Sequence, residues 1–238
     1  MKTPGTLHLI PVGLGDAPVS SWLPPAVQEV AGRLSTYIAE NAKTARAFLK
    51  LIGTTRPLQE ITIHTLGPKT DPQEIRKWLI EASRGAEIGL VSEAGCPAVA
   101  DPGAKVAAMA HSMGIRVLPW VGPSSILLAL MASGLDGQRF AFHGYAPVDA
   151  TERAKRLKLW ESESRKHSQT QLLIETPYRN DAMFKALLQS LNGRTRLCVA
   201  RALTTQDEYV RTHSIEEWKS KAPPELNKMP TLFLFLAS

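Results

Sequence analysis

The chain has 238 residues, 44% of them hydrophobic and 21% charged, which is typical of a folded globular protein and excludes a disordered, collagen-like or coiled-coil chain. Its longest apolar runs, residues 126–132 and 232–237, are far shorter than the ~20 residues of a membrane span, and its two cysteines provide no disulfide framework. The formal charge of +6 suits a polyanionic partner without requiring one, and we expect a cytoplasmic protein with no membrane partner.

The first half of the chain alternates short apolar strands with amphipathic helices. The pattern predicts strands at residues 7–12, 37–39, 61–66, 88–92 and 115–120 and helices at residues 25–34, 44–52, 72–83 and 104–113. Strands that alternate with helices indicate a doubly wound α/β domain with a mainly parallel sheet. We place this domain at residues 1–120.

The second half, residues 121–238, is predicted to form another α/β domain. It opens with a helix at residues 124–133 that is apolar on nearly all sides and should therefore be buried. Strands are predicted at residues 139–144, 172–176, 196–202, 209–213 and 232–236, with helices at residues 151–164 and 180–191. The short connection between residues 202 and 209 predicts an antiparallel pair and hence a mixed sheet.

Ligands of a parallel sheet bind beyond the carboxyl ends of its strands. Loops rich in glycine or proline follow three predicted strands of the first domain, at residues 11–16, 92–103 and 121–125. Glycine lets a backbone approach a ligand closely, although the first loop lacks the spacing of a dinucleotide fingerprint. Simpler interpretations are a plain turn for the first loop and helix caps for Asp101 and Ser124.

Several segments resemble the tetrapyrrole (corrin/porphyrin) methylase-like superfamily and, within it, the ribosomal small-subunit (16S rRNA) methyltransferase I branch. The most specific are GLVSEAGCPAVADPG at Gly89–Gly103 and GIRVLPWVGPSSILLALMASGL at Gly114–Leu135. Further matches are LHLIPVGLGD at Leu7–Asp16, IAENAKTARAFLKLIG at Ile38–Gly53, IETPYRN at Ile174–Asn180 and ARALTTQDEYVRTHSIEEW at Ala200–Trp218.

The resemblance implies an enzyme of two α/β domains that binds S-adenosylmethionine in the cleft between them and acts as a homodimer. It also implies that the methyl group goes to a ribose 2′-hydroxyl of 16S rRNA in the small ribosomal subunit. The cofactor contacts that it implies are Pro11, Gly13, Gly15, Asp16, Glu93, Ala94, Gly95, Val99, Ser124, Ser125, Glu175, Thr176, Ala202, Leu203 and Pro230.

Methyl transfer to a hydroxyl requires an aligned acceptor oxygen and a nearby base. Among the carboxylates of the loops we predict that Glu40, directly after the second strand, is this base, with Asp101 as a second catalytic residue. Glu40 could instead bind the adenosine ribose hydroxyls, or be a structural carboxylate at a helix cap or on the surface. The six histidines show no ligand spacing, so no metal is expected.

An RNA substrate needs cationic side chains for its phosphates. The candidates are Lys43 and Arg46, which share one helix face, and Arg179 and Arg201, which lie near strand ends of the second domain. As solvated surface charges the same residues would need no ligand.

Two other functions fit the same sequence. The chain could methylate a tetrapyrrole or another small metabolite. It could also be a non-catalytic binding module, because residues 39–43 read AENAK where the family has the more acidic AEDTR.

Overall fold

In the computed structural model, which describes residues 5–238, the chain forms two compact units. The first ends at Ser124 and the second begins at Ser125. Within residues 5–238, no helix combines the length and the apolar character needed to cross a bilayer.

The first unit is a five-stranded parallel sheet with helices on both faces, as predicted. Its elements are β1 (Thr6–Leu9), α1 (Pro25–Arg33), β2 (Thr36–Ala39), α2 (Ala42–Ile52), β3 (Thr62–Thr65), α3 (Pro72–Ser83), β4 (Glu87–Val91), α4 (Gly103–Ser112) and β5 (Arg116–Pro119). Short 3₁₀ turns lie at Val19–Ser21 and Leu58–Glu60. The strand order is β3-β2-β4-β1-β5.

Local sequence signals explain where the helices of this unit begin. The Asn41 side chain accepts a hydrogen bond of 2.9 Å from the Lys43 N–H and so caps α2. Asp71 caps α3 in the same way, and Pro72 occupies the first helical position, where its missing N–H costs nothing.

The helices divide between the two faces of the sheet. One face is covered by α1 and α2, which contribute Val27 and Phe48 to a buried cluster, and the other by α3 and α4, which contribute Leu79 and Val106. The connection after β1 therefore leaves the sheet on one face, while the connection after the neighbouring β4 leaves on the other. Such a switch point opens a crevice at the carboxyl edge of an α/β sheet, where ligands bind.

Strands β2 and β4 contact each other closely where Gly89 faces the ring of Tyr37. A Cβ at Gly89 would lie below 3.0 Å from the ring of buried Tyr37, whose hydroxyl donates to the carbonyl of Ala31. Overpacking of this kind costs about 1–3 kcal/mol, so we expect Gly89→Ala to lower the free energy of unfolding by that amount in a denaturant titration.

The control for this prediction is Gly137→Ala, because a Cβ at Gly137 would meet nothing within 4 Å. We expect its unfolding free energy to stay within about 0.5 kcal/mol of wild type. Equal losses in the two variants would contradict the packing argument.

The second unit is a five-stranded mixed sheet with the order β6-β7-β10-β8-β9, which confirms the predicted fold class. Its elements are α5 (Ser125–Ser133), β6 (Phe140–Tyr145), α6 (Ala150–His167), β7 (Thr170–Glu175), α7 (Asn180–Ser190), β8 (Arg196–Arg201), β9 (Tyr209–Ser214), α8 (Ile215–Ser220) and β10 (Thr231–Leu236), with a 3₁₀ turn at Pro177–Arg179. Strand β10 is antiparallel to β7 and β8, and the predicted β8–β9 pair is antiparallel.

Helix α5 lies against β8, β9 and β10, but it is not buried on all sides. Leu127 and Met131 are 52% and 78% exposed, while Ala129 and Leu130 are buried. Within this unit, the predicted burial applies to one face of α5 only, because the composition alone does not reveal which faces of a helix have partners.

Candidate functional site

The loops after β1, β4 and β5 lie side by side at the carboxyl edge of the first sheet. Val12 and Gly95 exchange two backbone hydrogen bonds of 2.9 Å, which join the first loop to the second. The Cys96 thiol donates to the carbonyl of Pro123 at 3.3 Å, which joins the second loop to the third. The structure thus brings together the three loops that the sequence predicts as ligand-binding.

Two glycines allow this close contact between loops. Gly95 has φ +72°, in the left-handed region that side chains disfavour, and a Cβ there would lie 3.3 Å from Leu14 Cδ2 and 3.6 Å from the Pro123 carbonyl oxygen. A Cβ at Gly122 would overlap with Pro11 at less than 3.0 Å. Larger side chains at either position would push the loops apart.

The loop after β4 is held in an unusual backbone conformation. Ala98 and Ala100 have φ of 69° and 63°, values that cost non-glycine residues free energy and are found mostly at functional sites. The Asp101 Oδ1 stabilises the loop by accepting hydrogen bonds from the N–H groups of Ala98 (3.1 Å) and Gly103 (2.6 Å).

The second carboxyl oxygen of Asp101 is unpaired within the described part of the chain. Asp101 Oδ2 is buried and has no hydrogen-bond partner among residues 5–238. Burial raises the pKa of this carboxyl, although the N–H groups of Gly103, Ala98 and Val99 act in the opposite direction. Asp101 therefore both shapes the loop and keeps one unsatisfied acceptor at the site.

Glu40 lies at the end of β2, next to the loop after β4. Its Oε1 accepts a hydrogen bond of 3.3 Å from the Glu93 N–H, and its side chain is partly buried. Burial raises the pKa of Glu40, and the negative charges of Asp101 and Glu93 raise it further, while the Glu93 N–H bond lowers it. Glu40 and Glu93 line an open depression of 740 Å³ at this edge. A carboxylate with a raised pKa can accept a proton more readily than a free glutamate.

The other predicted cofactor contacts of the first unit differ in exposure. Gly15 and Asp16 are exposed, and so are Glu93, Ala94 and Val99, so their backbone and side chains can reach a ligand. Gly13 and Ser124 are partly exposed, and so is Ser125, a predicted contact that is the first residue of the second unit. Pro11 and Gly95 are buried, so they support the loops without facing solvent.

The predicted contacts of the second unit lie together at one edge of its sheet. Thr231 pairs with both Glu175 and Arg201, and the Ala202 N–H donates to the carbonyl of Pro230 at 2.8 Å. The Glu175 side chain is only 1% exposed, and its carboxylate accepts hydrogen bonds from the Thr176 N–H (2.7 Å) and from Arg179. The remaining predicted members of this group are Thr176 and Leu203.

The four predicted phosphate contacts have different surroundings. Lys43 and Arg46 are exposed on α2. Arg179 is half-buried and paired with Glu175, while Arg201 donates to the carbonyl of Glu225 and lies 5.3 Å from the centre of the Tyr209 ring. These contacts therefore fix the side chains of Arg179 and Arg201. The sequence alone did not predict the contacts.

Asn180 is a polar residue that the sequence analysis did not single out. It is buried, and its Nδ2 donates to the carbonyls of Leu226 and Met229 and to the Thr231 hydroxyl. These bonds fix the start of β10 beside the turn after β7. A single asparagine gives no sequence signal for such a role. Within residues 5–238, no three His, Cys, Asp or Glu side chains come together as a metal site.

Comparisons with known proteins point to one family. A family model described as tetrapyrrole (corrin/porphyrin) methylases matches residues 6–219. The ribosomal RNA small subunit methyltransferase I of Xylella fastidiosa is 32% identical over 239 residues, which cover 99% of this chain and 82% of that protein. The protein of the same name from Pseudomonas aeruginosa is 27% identical over 213 residues, which cover 90% and 71% of the two chains.

Two solved methyltransferase structures have a similar fold. The methyltransferase CobJ matches with a TM-score of 0.64 at 18% identity, covering 98% of this chain and 95% of its own. The uroporphyrin-III C-methyltransferase of Thermus thermophilus matches with a TM-score of 0.53 at 19% identity, covering 98% and 92%. At these identities the likeness establishes the fold alone.

Proposed function

Because this chain belongs to the tetrapyrrole (corrin/porphyrin) methylase family and is thus an S-adenosylmethionine-dependent methyltransferase, we propose that it methylates a ribose 2′-hydroxyl of 16S rRNA in the small ribosomal subunit. The relatives with ribosomal names support an RNA substrate, since they match over most of their length at 27–32% identity. The observation that carries the chemistry is Glu40, a partly buried carboxylate with a raised pKa beside the loop after β4.

Two features of the carboxyl edge of the first sheet support cofactor binding there. Its close loop contacts leave exposed backbone at Glu93, Ala94 and Val99, which would hold the amino-acid part of the molecule. The carboxyl groups of Asp16, Glu40, Glu93 and Asp101 suit a ligand that carries a sulfonium and an ammonium. When bound, S-adenosylmethionine supplies an electrophilic methyl group on its sulfonium.

Glu40 would take the proton that leaves the acceptor hydroxyl. A base works only in its deprotonated form, so the rate should fall as the pH drops through the pKa of Glu40. Because burial raises that pKa, the acid limb should lie above the range of a free glutamate. The Glu93 N–H keeps the carboxylate pointed toward the loop after β4.

Thr176, Ala202, Leu203 and Pro230 stay predicted cofactor contacts, whereas the carboxylate of Glu175 already binds Arg179. Lys43 and Arg46 stay predicted phosphate contacts. A cytoplasmic homodimer also stays a prediction, and sedimentation of the purified protein would test the dimer.

The decisive test is methylation of small ribosomal subunits from cells that lack this protein. We expect mass spectrometry to find one new 2′-O-methylated nucleotide in the 16S rRNA after incubation with protein and S-adenosylmethionine. Binding to the subunit should weaken steeply with salt, because phosphate contacts release counterions.

Other outcomes would contradict the proposal. Salt-insensitive turnover of a porphyrinoid, with unmethylated rRNA, would favour the small-metabolite alternative. Absence of any methylated product would favour a non-catalytic binding module.

A further inference from the structure

The carboxyl edge of the second sheet carries a tyrosine and an arginine at each of three strand ends. Strands β6, β7 and β8 run in the same direction, because β10 is antiparallel to both β7 and β8 and β6 is parallel to β7. Their carboxyl ends therefore lie at the same edge. The residues are Tyr145 at the end of β6 and Arg153 near the start of α6, Tyr178 and Arg179 after β7, and Arg201 and Tyr209 on either side of the β8–β9 connection. We call these six residues the tyrosine edge.

Two of the rings at this edge project into solvent. Tyr145 is 58% exposed and Tyr178 is 79% exposed. Tyr145 pairs with Ile174 in the sheet, and Tyr178 lies in the short turn that follows β7, so the two residues lie near the carboxyl ends of neighbouring strands. Exposed aromatic side chains that are grouped in this way indicate a binding surface.

The arginines beside these rings are fixed by contacts with the protein. Arg153 donates to the carbonyls of Val148 (2.9 Å) and Pro147 (3.4 Å), so it holds the segment that follows Tyr145. Arg201 donates to the carbonyl of Glu225, and Arg179 bonds to Glu175. Less side-chain entropy is lost when a ligand binds such pre-organised groups.

Two of the three arginines at this edge form no ion pair within residues 5–238. Arg179 is neutralised by Glu175, but neither Arg153 nor Arg201 forms an ion pair with a carboxylate in the described part of the chain. Arg211 adds a further cation, 5.6 Å from the centre of the Tyr209 ring. Exposed rings next to unpaired guanidinium groups are the combination that binds single-stranded nucleic acid, whose bases stack and whose phosphates are anionic.

We propose that the tyrosine edge binds an unpaired segment of the RNA substrate, with Tyr145 and Tyr178 stacking on unstacked bases and Arg153 and Arg201 contacting phosphates. This inference rests on the proposed function and adds that the RNA is read as a single strand. A continuous A-form duplex keeps its bases stacked inside, so it offers no base face to a protruding ring.

The test compares Tyr145→Ala, Tyr178→Ala and the double variant in titrations of a labelled single-stranded oligoribonucleotide of about twelve nucleotides, within the usual range of such sites. Loss of one stacking contact should raise the Kd about tenfold, and loss of both about 100-fold. Tyr→Phe variants should bind like wild type, because phenylalanine keeps the stacking face. The duplex of the same sequence should bind the wild type more weakly than the single strand does.

Salt dependence separates stacking from charge. The tyrosine variants should keep the wild-type slope of log Kd against log salt. Arg201→Gln should lower that slope by about 1, which is the contribution of one phosphate contact. Phe140→Ala is the matched control, because Phe140 is an exposed aromatic residue at the opposite, amino end of β6. It should leave RNA affinity unchanged.

The outcomes distinguish this inference from the proposed function. Two results would contradict RNA binding at the tyrosine edge even if the enzyme methylates rRNA. They are wild-type RNA affinity in the double alanine variant and equal binding of duplex and single strand. Unmethylated small subunits would overturn the proposed function, and that result comes from a separate assay. A tenfold loss that also appears in Phe140→Ala would be a general effect on the fold and would count against the edge.

Discussion

Gly95→Leu is expected to abolish binding of S-adenosylhomocysteine. Gly95 is buried, has φ +72° and pairs through its backbone with Val12. A leucine would have to adopt the left-handed conformation, which costs about 1–2 kcal/mol, and its Cβ would already touch Leu14 and the Pro123 carbonyl. The three loops would therefore move apart, and the backbone that is predicted to hold the ligand would be displaced. Calorimetric titration measures the affinity.

The matched control for this variant is Gly114→Leu. Gly114 also has a left-handed φ of +68°, but a Cβ there would meet nothing within 4 Å, and the residue precedes β5 at the opposite edge of the sheet. It should lose similar stability and keep wild-type affinity. If Gly95→Leu binds S-adenosylhomocysteine with unchanged affinity, the loop after β4 is not part of the cofactor site. Equal loss of affinity in both variants would trace the effect to backbone strain alone.

Glu40→Gln is expected to lower kcat by about 10²–10⁴ while the cofactor Kd stays within about twofold of wild type. Glutamine keeps an oxygen that can accept from the Glu93 N–H, so the local structure should persist. It cannot take a proton from the acceptor hydroxyl. Steady-state kinetics on small ribosomal subunits, together with calorimetry of cofactor binding, measure the two quantities.

The pH profile gives this prediction a second readout. Wild type should show an acid limb above the range of a free glutamate, because burial raises the pKa of Glu40, and the limb should disappear in Glu40→Gln. Glu60→Gln, an exposed carboxylate at the amino end of β3, should behave like wild type. Full activity of Glu40→Gln would assign Glu40 a structural role. Weaker cofactor binding with unchanged kcat would instead favour contact with the adenosine ribose.

The fold could be predicted largely from periodicity and spacing. Alternating strands and helices identified the parallel sheet of the first unit, and the short connection after residue 202 identified the antiparallel β8–β9 pair. Helix α8 was missed, although Ser214 and Glu217 form a capping box whose spacing is visible in the sequence. Its six residues are too few for periodicity to detect.

The candidate site was predictable only in part. Strand order places the loops after β1 and β4 at one edge, and glycine content marks them as places of close contact. The left-handed conformation of Ala98 and Ala100 could not be predicted, because alanine is compatible with every regular structure. The ion pair of Arg179 with Glu175 could not be predicted either, because a spacing of four residues also occurs between solvated charges that form no ion pair.

The most direct test of this account is a crystal structure with bound S-adenosylhomocysteine. We expect the ligand at the carboxyl edge of the first sheet, with its amino-acid part against the backbone of residues 93–99 and its sulfur on the side of Glu40. A ligand at the amino edge of that sheet, near Arg33 and Glu87, or a carboxyl edge that stays closed to the ligand, would contradict the assignment of the loops.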